Sequence, residues 1–141
     1  MNRKLLNAAY AGITCLALMT SPVLAEMLNF KSELKGTAEV PLNDSAATGT
    51  AEVKVDTAAK QIFWTASHSG LSGDPTAAHF HGPAGPGENA GPIVDITGKI
   101  ESGSADLTDA QLADLQAGKI YLNIHTAKFP DGEIRGQVEK Q

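Results

Sequence analysis

Alternation of apolar and polar residues is the feature that most restricts how this chain can fold. It runs through short segments at residues 28–35, 51–56, 62–66, 79–81 and 120–125. Successive side chains of a strand point to opposite faces, so each segment predicts a half-buried β-strand. We therefore expect an all-β domain. The apolar positions predict a core that contains Phe30, Val53, Val55, Trp64, Phe80, Leu122, Ile124 and Ile134.

One helix is predicted between the strands. Thr108 and Gln111 have the spacing of a capping box, and Gly118 follows the last expected turn. Leu112 and Leu115 give this helix one apolar edge. We expect it to cover an end of the sheet as a connector without chemistry. Further strand candidates lie at residues 93–96, 99–100, 119–126 and 133–140.

The N-terminal segment has the organisation of a secretory signal peptide. Arg3 and Lys4 precede a long apolar stretch, and compact residues up to Ala25 occupy the positions that a signal peptidase reads. The alternative is a membrane anchor, which needs about 20 apolar residues. That stretch is interrupted at Asn7, Thr14, Thr20, Ser21 and Pro22. We expect residues 1–25 to be removed and residues 26–141 to form one extracytoplasmic domain, periplasmic or secreted.

Cleavage after Ala25 would change the cysteine content and the charge of the chain. It leaves 116 of 141 residues and removes Cys15, the single cysteine, so no disulfide can hold the mature domain. Losing Arg3 and Lys4 from 11 basic residues leaves 9 against 16 acidic residues, a net charge of −7. This charge disfavours nucleic acids and anionic membranes as partners.

Three histidines are the candidate metal ligands. If Phe80 is buried, His79 and His81 share the opposite face of their strand, with Cα atoms roughly 6.6 Å apart. His125 likewise alternates with Ile124, so a third imidazole can join them. An all-imidazole site outside the cytoplasm favours Cu²⁺, with Zn²⁺ second. The alternative is that the histidines bond backbone carbonyls and hold down the Gly/Pro-rich segment at residues 82–92, called here the Gly/Pro loop.

His68 is expected to have a different role. It shares the parity of Ile62, Trp64 and Ala66, which are predicted to be buried. We therefore expect a histidine at a strand end rather than a metal ligand.

A hairpin places two charged residues near His125. Residues 130–132, Pro-Asp-Gly, predict its turn. A register symmetric about that turn sets His125 opposite Glu133 and Asn123 opposite Arg135. Glu133 could orient His125 and Arg135 could steer an anion, but an exposed surface ion pair is the favoured interpretation of both.

Several ordered motifs resemble the CHRD domain, which is repeated in the developmental antagonist chordin and occurs singly in secreted bacterial proteins. The resemblance covers essentially the whole of the expected mature chain. It implies an extracellular β-barrel or sandwich of immunoglobulin-like character and little about activity. The motifs are Glu39-Val40-Pro41, residues 46–51, residues 69–73, residues 77–84, Leu107-Thr108, residues 121–126 and residues 132–137.

A more distant resemblance is to the copper/zinc superoxide dismutases, which are Greek-key β-sandwiches. Residues 70–71, the pair His79 and His81, then His125, then Arg135 follow the order of that family's Gly-Leu turn, copper ligands and anion-guiding arginine. The histidine that bridges copper and zinc, the zinc-ligand cluster and the disulfide cysteines have no counterpart. The resemblance therefore implies at most a copper-only or mononuclear site. Together, the two resemblances imply an all-β, Greek-key or immunoglobulin-like β-sandwich or barrel with one short connecting helix.

Three functions remain open. The first is a CHRD-domain module that binds one copper or zinc ion through His79, His81 and His125. The second is an adhesion domain that binds an extracytoplasmic protein without metal. The third is a copper-only enzyme of the dismutase type, with Arg135 near the metal. No residue is assigned a catalytic role, and the chain has no motif of the common hydrolases.

Overall fold

The computed structural model describes residues 25–141. The prediction of a signal peptide at residues 1–25 therefore concerns a segment that lies almost wholly outside the described residues. Nine strands and one α-helix occupy the described part of the chain. In chain order these are β1 (Met27–Lys35), β2 (Thr48–Asp56), β3 (Gln61–Ser69), β4 (Pro75–His81), β5 (Pro92–Asp95), β6 (Ser102–Asp106), α1 (Asp109–Gln116), β7 (Tyr121–Thr126), β8 (Ile134–Gln137) and β9 (Glu139–Lys140), with a 3₁₀ turn at Gly36–Ala38.

The strands form one antiparallel sheet that curls into a nearly closed barrel. Its order is β5-β4-β7-β8-β1-β2-β3-β6, and β9 also pairs with β1. The chain between β5 and β6 crosses the remaining gap, where the Trp64 indole N–H donates to the Lys99 carbonyl at 2.9 Å and Ala66 N–H donates to the Glu101 carbonyl at 2.9 Å. The predicted all-β class with one short helix is confirmed.

The core follows the alternation in the sequence. All eight predicted core residues are at most 3 % exposed. The ring of Trp64 on β3 meets the ring of Phe80 on β4 edge to face, with centroids 5.7 Å apart. The inner face of β4 is therefore fixed against the opposite side of the barrel, which leaves its other face for the histidines.

Helix α1 also matches its prediction. Thr108 caps it, and the Thr108 and Gln111 side chains form both bonds of the capping box. Leu115 is buried and Leu112 packs against the core. Both ends of this element were therefore encoded locally.

Two predicted strands needed correction. Residues 99–100 follow a turn at residues 97–98 and are not in a strand, and the strand lies at β6, whose Ser-Gly-Ser-Ala-Asp sequence lacks large apolar residues. Gly103 supplies the reason, since a Cβ at that position would collide with the Trp64 ring. The strand expected at 133–140 is interrupted at Val138, which is fully buried and donates its N–H to the Ile120 carbonyl. After this break β9 continues on β1.

Candidate metal site

Strands β4 and β7 are neighbours, and their outer faces carry the three histidines. The register pairs His79 with Asn123, His81 with Tyr121 and Ala77 with His125. The inner faces of the same strands contribute core residues, so the alternation directs every imidazole to the outside of the sheet. The sheet therefore brings together histidines that are 46 residues apart in sequence.

The imidazoles converge as predicted. His79 Nδ1 and His125 Nε2 are 3.3 Å apart, and one nitrogen from each of the three rings lies within 4.8 Å of the others. His125 Nδ1 lies 2.9 Å from the Pro130 carbonyl, which can only accept a proton. The proton of His125 therefore resides on Nδ1, and its Nε2 presents a lone pair to His79.

His81 is more enclosed than its outward parity suggested. It is 8 % exposed, because the Gly/Pro loop folds over it. Its Nδ1 is 2.9 Å from the Ala90 carbonyl and its Nε2 is 2.9 Å from Asn123 Oδ1. Its ring is also stacked on Tyr121, with centroids 4.8 Å apart. His81 thus anchors the loop while it faces the other histidines.

Burial favours the neutral form of two of these rings. It lowers the pKa of His81, and the positive charges that His79 and His125 can carry lower it further, while the bonds to Ala90 and Asn123 act in the opposite direction. Burial also lowers the pKa of His125, against the opposing effect of its bond to Pro130. Neutral imidazole is the form that binds a metal ion.

Arg135 is neither exposed nor paired with Glu133, which corrects the expectation of a surface ion pair. The side chain is 1 % exposed. Its Nη1 donates to Asn89 Oδ1 at 3.0 Å, and its Nη2 donates to the carbonyls of Glu88 at 2.6 Å and Gly85 at 3.3 Å. The guanidinium also lies 3.4 Å above the Tyr121 ring. Arg135 therefore holds the Gly/Pro loop in place. The prediction considered only the pairing of β7 with β8, which contains no information about a loop that folds over Arg135.

Glu133 also departs from its expected place. The predicted pairing of Asn123 with Arg135 is confirmed, but the regular ladder ends at Ile124 and Ile134. Beyond that pair, Glu133 turns its fully buried carboxylate toward Thr126, Ser72 and Ser45. Among the described residues, Glu133 makes no hydrogen bond or ion pair with His125.

Glu39 was missed as part of this face. The side chain is 6 % exposed, and its Oε1 is buried without a hydrogen-bond partner. Burial raises its pKa from 4.5 to about 7, although Arg135 and the Asn123 amide oppose the shift. Glu39 lies against Gly132, where a Cβ would collide with its carboxyl group. Glu39 lies outside the alternating segments, so the pattern of apolar residues gave no sign of its burial. The only signal in the sequence was its place in the Glu39-Val40-Pro41 motif of the CHRD resemblance.

His68 occupies the place that was expected. It is half-buried near the end of β3 and is not among the three convergent histidines. Within residues 25–141, no helix is both long and apolar enough to span a bilayer.

Comparison with known proteins identifies the family. A search of curated proteins found no significant match, and a search of solved structures found none either. The family model of the CHRD domain matches residues 30–138, which include most of β1, all of β2 to β8 and all three histidines. The chain therefore belongs to the CHRD domain family.

Proposed function

We propose that this CHRD domain is a metal-binding module that holds one Cu²⁺ ion, with Zn²⁺ as the second choice, through His79, His81 and His125. The observation that carries the proposal is the 3.3 Å separation of His79 Nδ1 and His125 Nε2, with a nitrogen of His81 within 4.8 Å. Two nitrogens that bind one tetrahedral ion at about 2.0 Å are themselves about 3.3 Å apart. The metal-free pair thus already has the spacing of two ligands.

The donor set supports copper over other divalent ions. Imidazole nitrogen suits Cu²⁺ and Zn²⁺, and affinity for a given site rises toward Cu²⁺ along the first transition series. The lowered pKa values of His81 and His125 favour the binding of either ion, since neither ring has to lose a proton at neutral pH before it binds.

His81 carries a cost that the other two histidines do not. Both of its nitrogens already face oxygens, on Ala90 and Asn123, so binding through either nitrogen breaks one of these contacts. We expect the ion to meet His79 and His125 first and His81 last. If His81 never exchanges its partner, its role is to anchor the loop, and the domain is then a protein-binding module without metal.

The proposal places this module outside the cytoplasm, as a periplasmic or secreted protein. It rests on the charge and apolarity of residues 1–25. N-terminal sequencing of protein recovered from the extracytoplasmic fraction should begin at Glu26. Recovery there of chains that still begin at Met1 would contradict cleavage.

A dismutase-type enzyme has less support. Its anion-guiding arginine would have to be free beside the metal, whereas the Arg135 guanidinium is bonded to Asn89 and to two loop carbonyls. The arrangement therefore favours binding over turnover. Measurement of superoxide consumption by the copper-loaded protein separates these two functions.

The test is calorimetric titration of the protein with Cu²⁺ and with Zn²⁺ at neutral pH. We expect saturation at one equivalent and tighter binding of Cu²⁺. His81→Ala should weaken binding at least about tenfold through loss of a ligand. His68→Ala is the matched control, because it removes an imidazole remote from the cluster. Equal binding by the wild type and by the triple alanine variant of His79, His81 and His125 would refute the metal site.

A further inference from the structure

Asp95 lies beside the histidine cluster on the side away from His125. Strand β4 is flanked by β5 and β7, and His79 pairs with Asp95 on one side and with Asn123 on the other. The His79 ring lies between Asp95 and His125. Its Nδ1 is directed at His125, and its Nε2 lies 3.9 Å from Asp95 Oδ1.

The Asp95 carboxylate is held in place by its own turn. Its Oδ1 accepts from the Thr97 N–H at 2.8 Å. The Thr97 hydroxyl in turn accepts from the Ala78 N–H at 3.1 Å, which ties the turn to β4. His79 is the one basic group within 4.0 Å of Asp95 among residues 25–141. The carboxylate is therefore held by its own turn beside β4, within reach of a single imidazole.

The other two histidines already have a fixed partner for one nitrogen. His125 Nδ1 faces Pro130, and His81 Nδ1 faces Ala90. An imidazole that binds a metal carries its proton on the other nitrogen, and a carboxylate or carbonyl that accepts this proton fixes the ring and strengthens the ligand. For His79, Asp95 is the group in that position.

We infer that Asp95 is a positioning residue, whose carboxylate accepts the Nε2 proton of His79 and thereby assigns Nδ1 as the nitrogen that binds the metal. This inference rests on the proposed function. In the metal-free protein a single proton can be shared between His79 Nδ1 and His125 Nε2. When an ion binds at Nδ1, the single proton of neutral His79 moves to Nε2, so that the ring keeps its proton and none is released. A separation of 3.9 Å is too long for a hydrogen bond, so the exposed Asp95 side chain closes on Nε2 by a small rotation.

The experiment compares the wild type with Asp95→Asn and Asp74→Asn. Asp95→Asn removes the charge but keeps an oxygen for Thr97, so the turn is retained. Asp74→Asn makes the same change of charge at an exposed acid in the turn before β4. Titration with Zn²⁺ should show about tenfold weaker binding for Asp95→Asn and an unchanged affinity for Asp74→Asn. Asp95→Glu should restore part of the loss.

A spectroscopic readout separates positioning from a general structural effect. Nitrogen-15 NMR of the zinc-loaded wild type should show the His79 proton on Nε2 and the metal on Nδ1. Asp95→Asn should shift the Nε2 resonance toward that of a weaker hydrogen bond.

The outcomes distinguish this inference from the proposed function. Zinc binding by the wild type with equal affinity in Asp95→Asn would overturn the role of Asp95 alone, as would coordination of zinc through His79 Nε2. Absence of zinc and copper binding by the wild type would overturn the metal site and this inference with it.

Discussion

Two polar clusters near the β7–β8 hairpin, one centred on a fully buried carboxylate and one half-buried, differ in how completely they are hydrogen-bonded. At one, the Glu133 carboxylate accepts bonds from the hydroxyls of Ser45, Ser72 and Thr126 and from the Ser72 N–H, at 2.6–2.9 Å. At the other, His79 Nδ1 and His125 Nε2 face each other and can share only one proton. The first cluster has no capacity left for a ligand, whereas the second has lone pairs in excess of protons.

The comparison shows that the Glu133 cluster stabilises the fold, whereas the histidine cluster has the properties of a ligand-binding site. Burial raises the pKa of Glu133, but the bonds from Thr126, Ser72 and Ser45 outweigh it, and the net pKa lies below 4.5. The carboxylate is therefore stable in its charged form. Its hydrogen bonds connect the loops that carry Ser45, Ser72 and Glu133 itself to Thr126 on β7. In the histidine cluster, burial instead lowers the pKa of His81 and of His125 and so favours the neutral rings that a metal ion requires.

The largest expected effect is on Glu133. Glu133→Gln replaces an acceptor of four bonds with an amide whose NH₂ group meets hydroxyl donors. We expect the free energy of unfolding to fall by about 3 kcal/mol. Urea denaturation measures this change, and copper affinity should remain that of the wild type. A loss of copper binding in a folded Glu133→Gln variant would contradict the separation of the two clusters.

An intermediate effect is expected at Glu39, which belongs to neither cluster and keeps an unpaired oxygen. Its folded pKa is raised from 4.5 to about 7, so its folded form binds protons more tightly than its unfolded form. Its contribution to stability is therefore lost as the pH rises from about 4.5 to about 7, and it corresponds to on the order of 3 kcal/mol before solvent screening. Glu39→Gln should gain stability relative to the wild type over that range. Urea denaturation at several pH values measures the gain, and a pH-independent difference would show that Glu39 is not neutral in the fold.

The smallest effect concerns the histidines. The pKa values of His81 and His125 are lowered in the folded protein, so the unfolded chain binds protons at these two rings more readily and stability falls as the pH drops below 6.5. This trend opposes that of Glu39, and we expect it to be clearest in a Glu39→Gln background. Adding His125→Gln to that background should flatten the remaining dependence between pH 6.5 and 4.5. The part that remains in the double variant belongs to His81, and a slope unchanged by His125→Gln would assign the effect to groups other than His125.

Local patterns in the sequence were sufficient for most of the strands and for the helix. Alternation gave the burial of Phe80 and Ile124, and the capping box gave the start of α1. The same alternation placed the three histidines on outer faces, and their order along the chain suggested that β4 and β7 are close. These features depend on residues that are close in sequence, so a single sequence is enough to predict them.

The features that were missed depend on distant partners. Glu133 receives bonds from Ser45 and Ser72, which are 88 and 61 residues away. The clamp between Arg135 and the Gly/Pro loop spans a similar distance. Neither contact leaves a periodic trace in the sequence. The β6 strand was missed for a related reason. Its Gly103 is required by the ring of Trp64 on the neighbouring strand, and not by residues next to it in sequence.

The contact between Trp64 and Phe80 gives the molecule a built-in optical reporter. Trp64 is the single tryptophan of the chain, and its ring rests on Phe80, whose two neighbours in sequence are His79 and His81. The fluorophore and the histidines therefore lie on opposite sides of one strand. Cu²⁺ quenches nearby indole emission through its partly filled d shell, whereas Zn²⁺ has a filled shell and does not. Emission from Trp64 should therefore fall when copper binds and stay unchanged with zinc, so that its quenching reports bound copper specifically.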